Sequence, residues 1–85
     1  MSFIKYVERL RRMDSLISMM ATGNPEEFAE KIGVGRSTLF QHLQEMRKMG
    51  VDIKYSSTRQ SYYYADGQRI KVKVESAETR LSKSD

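Results

Sequence analysis

The sequence predicts a small α+β domain: a three-helix core followed by a two- to three-stranded antiparallel β-layer. Three observations carry that prediction. Apolar residues recur at spacings of three and four as far as Met46, the signature of helices with one buried face. Beyond Gly50 the apolar period drops to two, as in half-buried strands. Between them, Asn24-Pro25 and the glycines at 33, 35 and 50 cut the helical half into separate rods.

The first rod is expected over Met1 to Ala21. Ser2 is placed to cap it, and Phe3, Val7, Leu10, Met13, Ile17 and Met20 form one stripe that Leu16 and Met19 widen. Ala21-Thr22-Gly23 ends it. Lys5, Glu8, Arg9, Arg11, Arg12 and Asp14 make the polar side. Such a helix is longer than a three-helix core needs. Phe3, Ile4, Tyr6 and Val7 therefore leave apolar surface for a second chain or for the C-terminal strands of the same chain. The Arg9, Arg11 and Arg12 cluster suits phosphate contact, although a basic run on an exposed helix face is more often simply solvated.

Asn24 to Gly50 is the most informative stretch, NPEEFAEKIGVGRSTLFQHLQEMRKMG. Asn24 can cap, Pro25 fits the first helical position, and Glu27 is spaced to bond back to the cap. Phe28 and Ile32 give this short helix its apolar stripe before Gly33-Val34-Gly35 breaks it. The next helix buries Leu39, Leu43 and Met46, and Gly50 closes it. Two short amphipathic helices joined by a glycine-containing turn make a helix-turn-helix. Ala29 lets the helices cross closely, Gly33 permits a positive φ, and Val34 fills the corner.

Val51, Ile53 and Tyr55 then alternate with Asp52 and Lys54 as a strand. Ser56 to Ser61 is polar and turn-like, and Tyr62, Tyr63 and Tyr64 resume β-favouring composition, with faces that must alternate. Two strands and a polar loop placed directly after a helix-turn-helix make a wing, so the whole order is that of a winged helix. After the Asp66-Gly67 turn, Ile70, Val72 and Val74 alternate with Lys71, Lys73 and Glu75, which predicts a third strand across 69–75. The domain is thus expected to span 1–75, and 76–85 to be a disordered tail.

Bulk properties bound the function. The 85-residue chain has no cysteine, which excludes disulfides and thiolate metal sites and suits a reducing cytoplasm. No apolar run is long enough to span a membrane, and the N-terminal residues lack the basic-then-apolar order expected of a signal peptide. A formal charge of +4 favours a polyanionic partner mildly. The single histidine, without a cysteine, a phosphate-cradling glycine loop or a carboxylate pair, leaves no catalytic constellation and no cofactor site to name. We expect no enzyme. A chain this short gains only modest stability from its own core, which favours a homodimer.

The stretch EEFAEKIGVGRSTLFQHLQEMRKMGVDIKY resembles the N-terminal winged helix-turn-helix DNA-binding domains of DeoR-like and WYL-type bacterial transcriptional regulators. More loosely it resembles the biotin-repressor-type winged helix. The matching positions are Ala29, Ile32, Gly33, Val34, Arg36, Thr38, Leu39, Leu43, Met46, Gly50, Val51 and Ile53, within a resemblance covering about residues 9–64. It implies a cytoplasmic, nucleoid-associated bacterial regulator that binds double-stranded DNA. The departures are Gly35 in place of the usual serine, Gln41 where a basic residue is frequent, and Ser61-Tyr62 in place of Gly-Tyr. No small-molecule effector domain is evident, so ligand sensing is not implied.

Advancing about 100° per residue from the buried stripe of the second helix of the motif puts Ser37, Gln41, Gln44 and Lys48 outward. Arg36, Phe40 and Arg47 occupy one flank, and Thr38, His42 and Glu45 the other. With residues 36–49 as recognition helix in the major groove, Arg36, Ser37, Phe40, Gln41 and Gln44 reach toward bases. Glutamine can pair bidentately with adenine and arginine with guanine, while Phe40 suits a thymine methyl. Thr38 and Lys48 suit phosphate, and Arg59, at the tip of the wing 54–61, an adjacent minor groove or phosphate. Lys54, Arg69, Lys71 and Lys73 add positive charge. Each of these is also an ordinary surface residue type, and His42 is expected to be partly covered by packing. The rival function is a winged helix that contacts another protein through the same face, favoured by the acids Glu26, Glu27, Glu30, Glu45 and Asp52.

Overall fold

Local capping chemistry sets where the first two helices start. The computed structural model describes residues 2–67. Over that range the order is α1 (Phe3–Ser18), α2 (Pro25–Ile32), α3 (Arg36–Lys48), β1 (Ile53–Ser56) and β2 (Ser61–Tyr64). Three helices and a two-stranded antiparallel sheet form a small α+β domain whose layout is compatible with a winged helix. The strand expected at 69–75 and the tail at 76–85 lie outside the described residues.

The Ser2 hydroxyl accepts from the Lys5 amide at 3.1 Å and starts α1. The helix is shorter than the expected 1–21 because its end is closed by the backbone before Ala21. Met20 takes a left-handed φ of 52°, Met20 N–H reaches the Ile17 carbonyl at 3.0 Å, and Ala21 N–H reaches Leu16 at 2.9 Å. That is the paired closure usually built on glycine. Val7, Leu10, Met13 and Ile17 are buried as the spacing requires. Phe3 and Met20, expected on the same stripe, are exposed; Phe3 lies at the first turn, and Met20 lies past the helix end, where the stripe no longer applies.

The start of α2 matches the sequence reading atom for atom. Glu27 N–H donates to Asn24 Oδ1 and Asn24 N–H to Glu27 Oε1, both at 2.8 Å. Gly33 follows α2 at φ 76°, and the Val34 amide turns back to the Ala29 carbonyl at 2.9 Å. Leu39, Leu43 and Met46 of α3 are fully covered, and Gly50 sits just beyond its end at φ 105°. Val51, expected in the first strand, is buried but lies ahead of β1.

In the hairpin Ile53 pairs with Tyr64 and Ser56 with Ser61, leaving 57–60 as the loop of the wing expected at 54–61. Burial along the tyrosines does not alternate cleanly, since Tyr63 and Tyr64 are both half-buried. Tyr62 is in the core beside Phe28, with ring centroids 5.6 Å apart, and Tyr64 packs against the same core. The core joins Leu10, Met13 and Ile17 of α1 with Phe28, Ala29 and Ile32, then with the α3 stripe, Val51, Ile53 and Tyr62.

A buried polar lock ties the α1–α2 link to β2. Thr22 and Ser61 are both fully buried. The Tyr62 amide donates to Thr22 Oγ1 at 2.9 Å, and the Thr22 amide donates to Ser61 Oγ at 3.2 Å. The hydroxyls lie 3.1 Å apart and also reach the Gly23 and Tyr62 carbonyls. Thr22→Val keeps the shape but strands the Tyr62 amide. Stability in urea is expected to fall by about 1–3 kcal/mol, the cost of a buried unsatisfied donor. An unchanged midpoint would mean that the threonine merely fills space.

Candidate nucleic-acid interface

The candidate surface is the edge of α3 that faces away from the core. With Leu39, Leu43 and Met46 pinned behind it, the helix leaves Arg36, Ser37, Phe40, Gln41, Gln44 and Lys48 exposed. Phe40 is 39% exposed, a large apolar ring standing in solvent. The Arg36 guanidinium lies over it, 5.7 Å from the centroid. Thr38 is half-buried on the flank. Gly35 precedes the helix with no side-chain cap, so the first amides of α3 receive no side-chain acceptor from that residue. Arg59 is held separately, on the hairpin loop, where its amide donates to Ser56 Oγ at 3.1 Å and its side chain is exposed.

Both flanks of α3 are fastened to the rest of the fold. On the α1 side Glu45 Oε1 accepts from the Tyr6 hydroxyl at 2.7 Å and lies 3.0 Å from His42 Nδ1. The Tyr6 and His42 rings meet edge to face at 5.4 Å, and Arg9 Nη1 approaches His42 Nε2 at 3.4 Å. An arginine nitrogen can only donate, so Nε2 is the acceptor and the ring hydrogen sits on Nδ1, aimed at the carboxylate. His42 is 4% exposed, more covered than its angle on the helix implies, because α1 closes over it. On the hairpin side Arg47 donates to the Ile53 carbonyl from Nε at 3.1 Å and from Nη2 at 2.9 Å.

These fastenings shift protonation. Burial, then the hydrogen bond to Glu45 and its negative charge, push the Tyr6 hydroxyl from 10.0 up to about 12. The bond from Tyr6, aided by His42 and Gln41, holds the Glu45 carboxyl below its ordinary value, against the opposing effect of burial. A phenol with a raised folded value contributes stability that is complete below its unfolded value and disappears as pH climbs through the folded one. Tyr6→Phe is therefore expected to flatten the loss of stability between pH 10 and about 12, seen by comparing urea midpoints of the two proteins. Glu45 acts at the other end: its contribution is present above the normal carboxylate range and lost as pH falls through its lowered value. A Tyr6→Phe profile parallel to that of the parent would contradict the assigned bond.

The remaining neighbours of the edge are mixed in sign. Gln41 Nε2 leans toward Glu45 Oε2 at 3.4 Å, and Gln44 Oε1 accepts from Arg47 Nη1 at 2.9 Å. Between α2 and the start of α3 lies a cleft of about 380 Å³ lined by Glu26, Glu27, Ala29, Glu30, Val34, Gly35 and Arg36. It is acidic on its α2 side. Among the described residues, no group of three or more histidine, cysteine or carboxylate side chains is placed to hold a metal. Nor is any described helix long and apolar enough to cross a membrane.

The candidate residues of α3 therefore share one edge, with Thr38 at its margin and Arg59 apart on the loop. Sequence reasoning passed over Glu45 and Arg47 as supports of that edge. The Gln41–Glu45 and His42–Glu45 spacings of four and three were visible signals, whereas the reach of Arg47 to Ile53 depends on the turn between α3 and β1. No protein-family model, curated protein or solved structure matches this chain.

Proposed function

We propose that this chain is a winged helix-turn-helix domain that binds duplex DNA sequence-specifically in a small transcriptional regulator, akin to the DeoR-like and WYL-type regulators it resembles. The recognition helix, 36–49, enters the major groove, and the wing, 54–61, meets the flanking backbone or minor groove. One observation carries this reading: α3 is pinned on its apolar side and both flanks, while Arg36, Ser37, Phe40, Gln41, Gln44 and Lys48 remain open to solvent. That edge combines groups able to pair with base edges and a cation near each end. A homodimer supplies affinity that one small wing lacks, and Phe3 and Ile4, 66% and 50% exposed, offer apolar area for the second copy.

The acidic cleft beside Arg36 favours a second reading, in which the same face docks a basic partner protein without touching DNA. Binding to mixed-sequence duplex across a salt series separates the two. A DNA binder loses affinity steeply between about 50 and 200 mM salt, with a log–log slope near −0.9 per phosphate contact. Absence of duplex binding at micromolar protein and low salt would favour the protein partner.

A further inference from the structure

The two outward glutamines are not equivalent, and their neighbours dictate how each amide is turned. Arg47 has only donors, so the Gln44 atom 2.9 Å from its Nη1 is necessarily the carbonyl oxygen. Arg47 in turn is held, because its Nε and Nη2 both grip the Ile53 carbonyl at 3.1 and 2.9 Å. Gln44 thus keeps its whole NH2 group, but only one of its oxygen's two lone pairs, for any ligand lying along α3. Its oxygen already takes a charge-assisted bond and is the weaker half of any two-bond pairing. Gln41 is turned the other way. The carboxylate of Glu45 can only accept, so the contact at 3.4 Å engages one N–H and leaves the oxygen and a second N–H free.

We propose that Arg47 is a positioning residue that makes Gln44 read chiefly as a donor. At the base pair facing Gln44, the chain then prefers a base edge that offers acceptors without a donor, namely guanine or thymine. Adenine needs an acceptor for N6 as well as a donor for N7, and cytosine offers only a donor. The positive guanidinium beside the amide favours the acceptor pair O6 and N7 of guanine further. Gln41 keeps the donor–acceptor set that adenine requires.

This inference rests on the proposed DNA binding, and the test separates the two. Duplexes selected from a random pool are sequenced for the parent chain, for Gln44→Ala and for Arg47→Met. Gln44 is exposed, so its alanine variant folds and marks the position it reads as the one whose preference flattens. Guanine or thymine at that position in the parent is the expected result, and Arg47→Met, which frees the oxygen, is expected to shift it toward adenine by about tenfold, the effect of one good pairing. Adenine or cytosine in the parent, no flattened position in Gln44→Ala, or a folded Arg47→Met variant with unchanged preference overturns the inference and leaves DNA binding intact. Should Arg47→Met not fold, the identity of the parent base still decides. Failure of the parent to bind any duplex removes the DNA reading itself.

Discussion

On the proposed DNA reading, Arg36→Ala combined with Gln41→Ala is expected to relax or abolish base preference at the positions those two side chains face while leaving the thermal melt unchanged. Both side chains stand on the exposed edge of α3 and neither contributes to the core. Their folded-state contacts are weak: a guanidinium over the Phe40 ring at 5.7 Å and an amide 3.4 Å from Glu45. Exposed contacts of this kind are worth under about 1 kcal/mol. Each specific base contact contributes about 1–3 kcal/mol of discrimination, so two independent ones give about 2–6 kcal/mol. Competition between the selected site and scrambled duplex should then change by at least roughly thirtyfold. Unchanged preference at every position, beyond the one that Gln44→Ala flattens, would place the reading surface elsewhere on the molecule.

Gly23→Ala should be among the most damaging single-methyl additions in the described chain. Two independent requirements meet at this residue. Its φ of 76° costs an alanine about 1 kcal/mol. A methyl there would also stand 2.9 Å from Glu27 Cβ and closer still to Glu27 Oε1. That carboxylate is the return half of the α2 capping box, bonded to the Asn24 amide at 2.8 Å. Displacing it loses about 0.5–2 kcal/mol of capping. The sum, about 1.5–3 kcal/mol, corresponds to a drop in Tm on the order of 10 °C for a domain of this size. Gly33→Ala provides the control, because it has the same φ of 76° but nothing within 4 Å of the added carbon. It should cost only the backbone part. Equal losses at the two sites would mean that Glu27 yields freely.

These cases mark what could be read from the chain and what could not. The capping box and the buried face of α3 follow from offsets of three and four residues, set by backbone geometry. The open edge of α3 was legible for the same reason: once Leu39, Leu43 and Met46 are placed, the opposite side follows. The Thr22–Ser61 lock and the Tyr6–Glu45 bond were not legible. Each joins residues 39 positions apart, and nothing in their type distinguishes them from surface threonine, serine, tyrosine or glutamate. Even the end of α1 depended on Met20 adopting a backbone angle that its side chain disfavours. Sequence rules expected the glycine three residues later to do that work.

The grip of Arg47 on the Ile53 carbonyl has a consequence for mechanics. It joins the last turn of α3 to the first residue of β1, a contact that opposes a change in the opening between rod and hairpin. On the proposed DNA reading, a double helix seated on both would meet an opening that this contact resists changing. Mismatch between that opening and the groove would fall on the duplex through roll, twist or groove width, whose cost varies with base sequence. Stiff or pliable steps beneath the hairpin would then be sorted by elasticity alone, at positions no side chain touches.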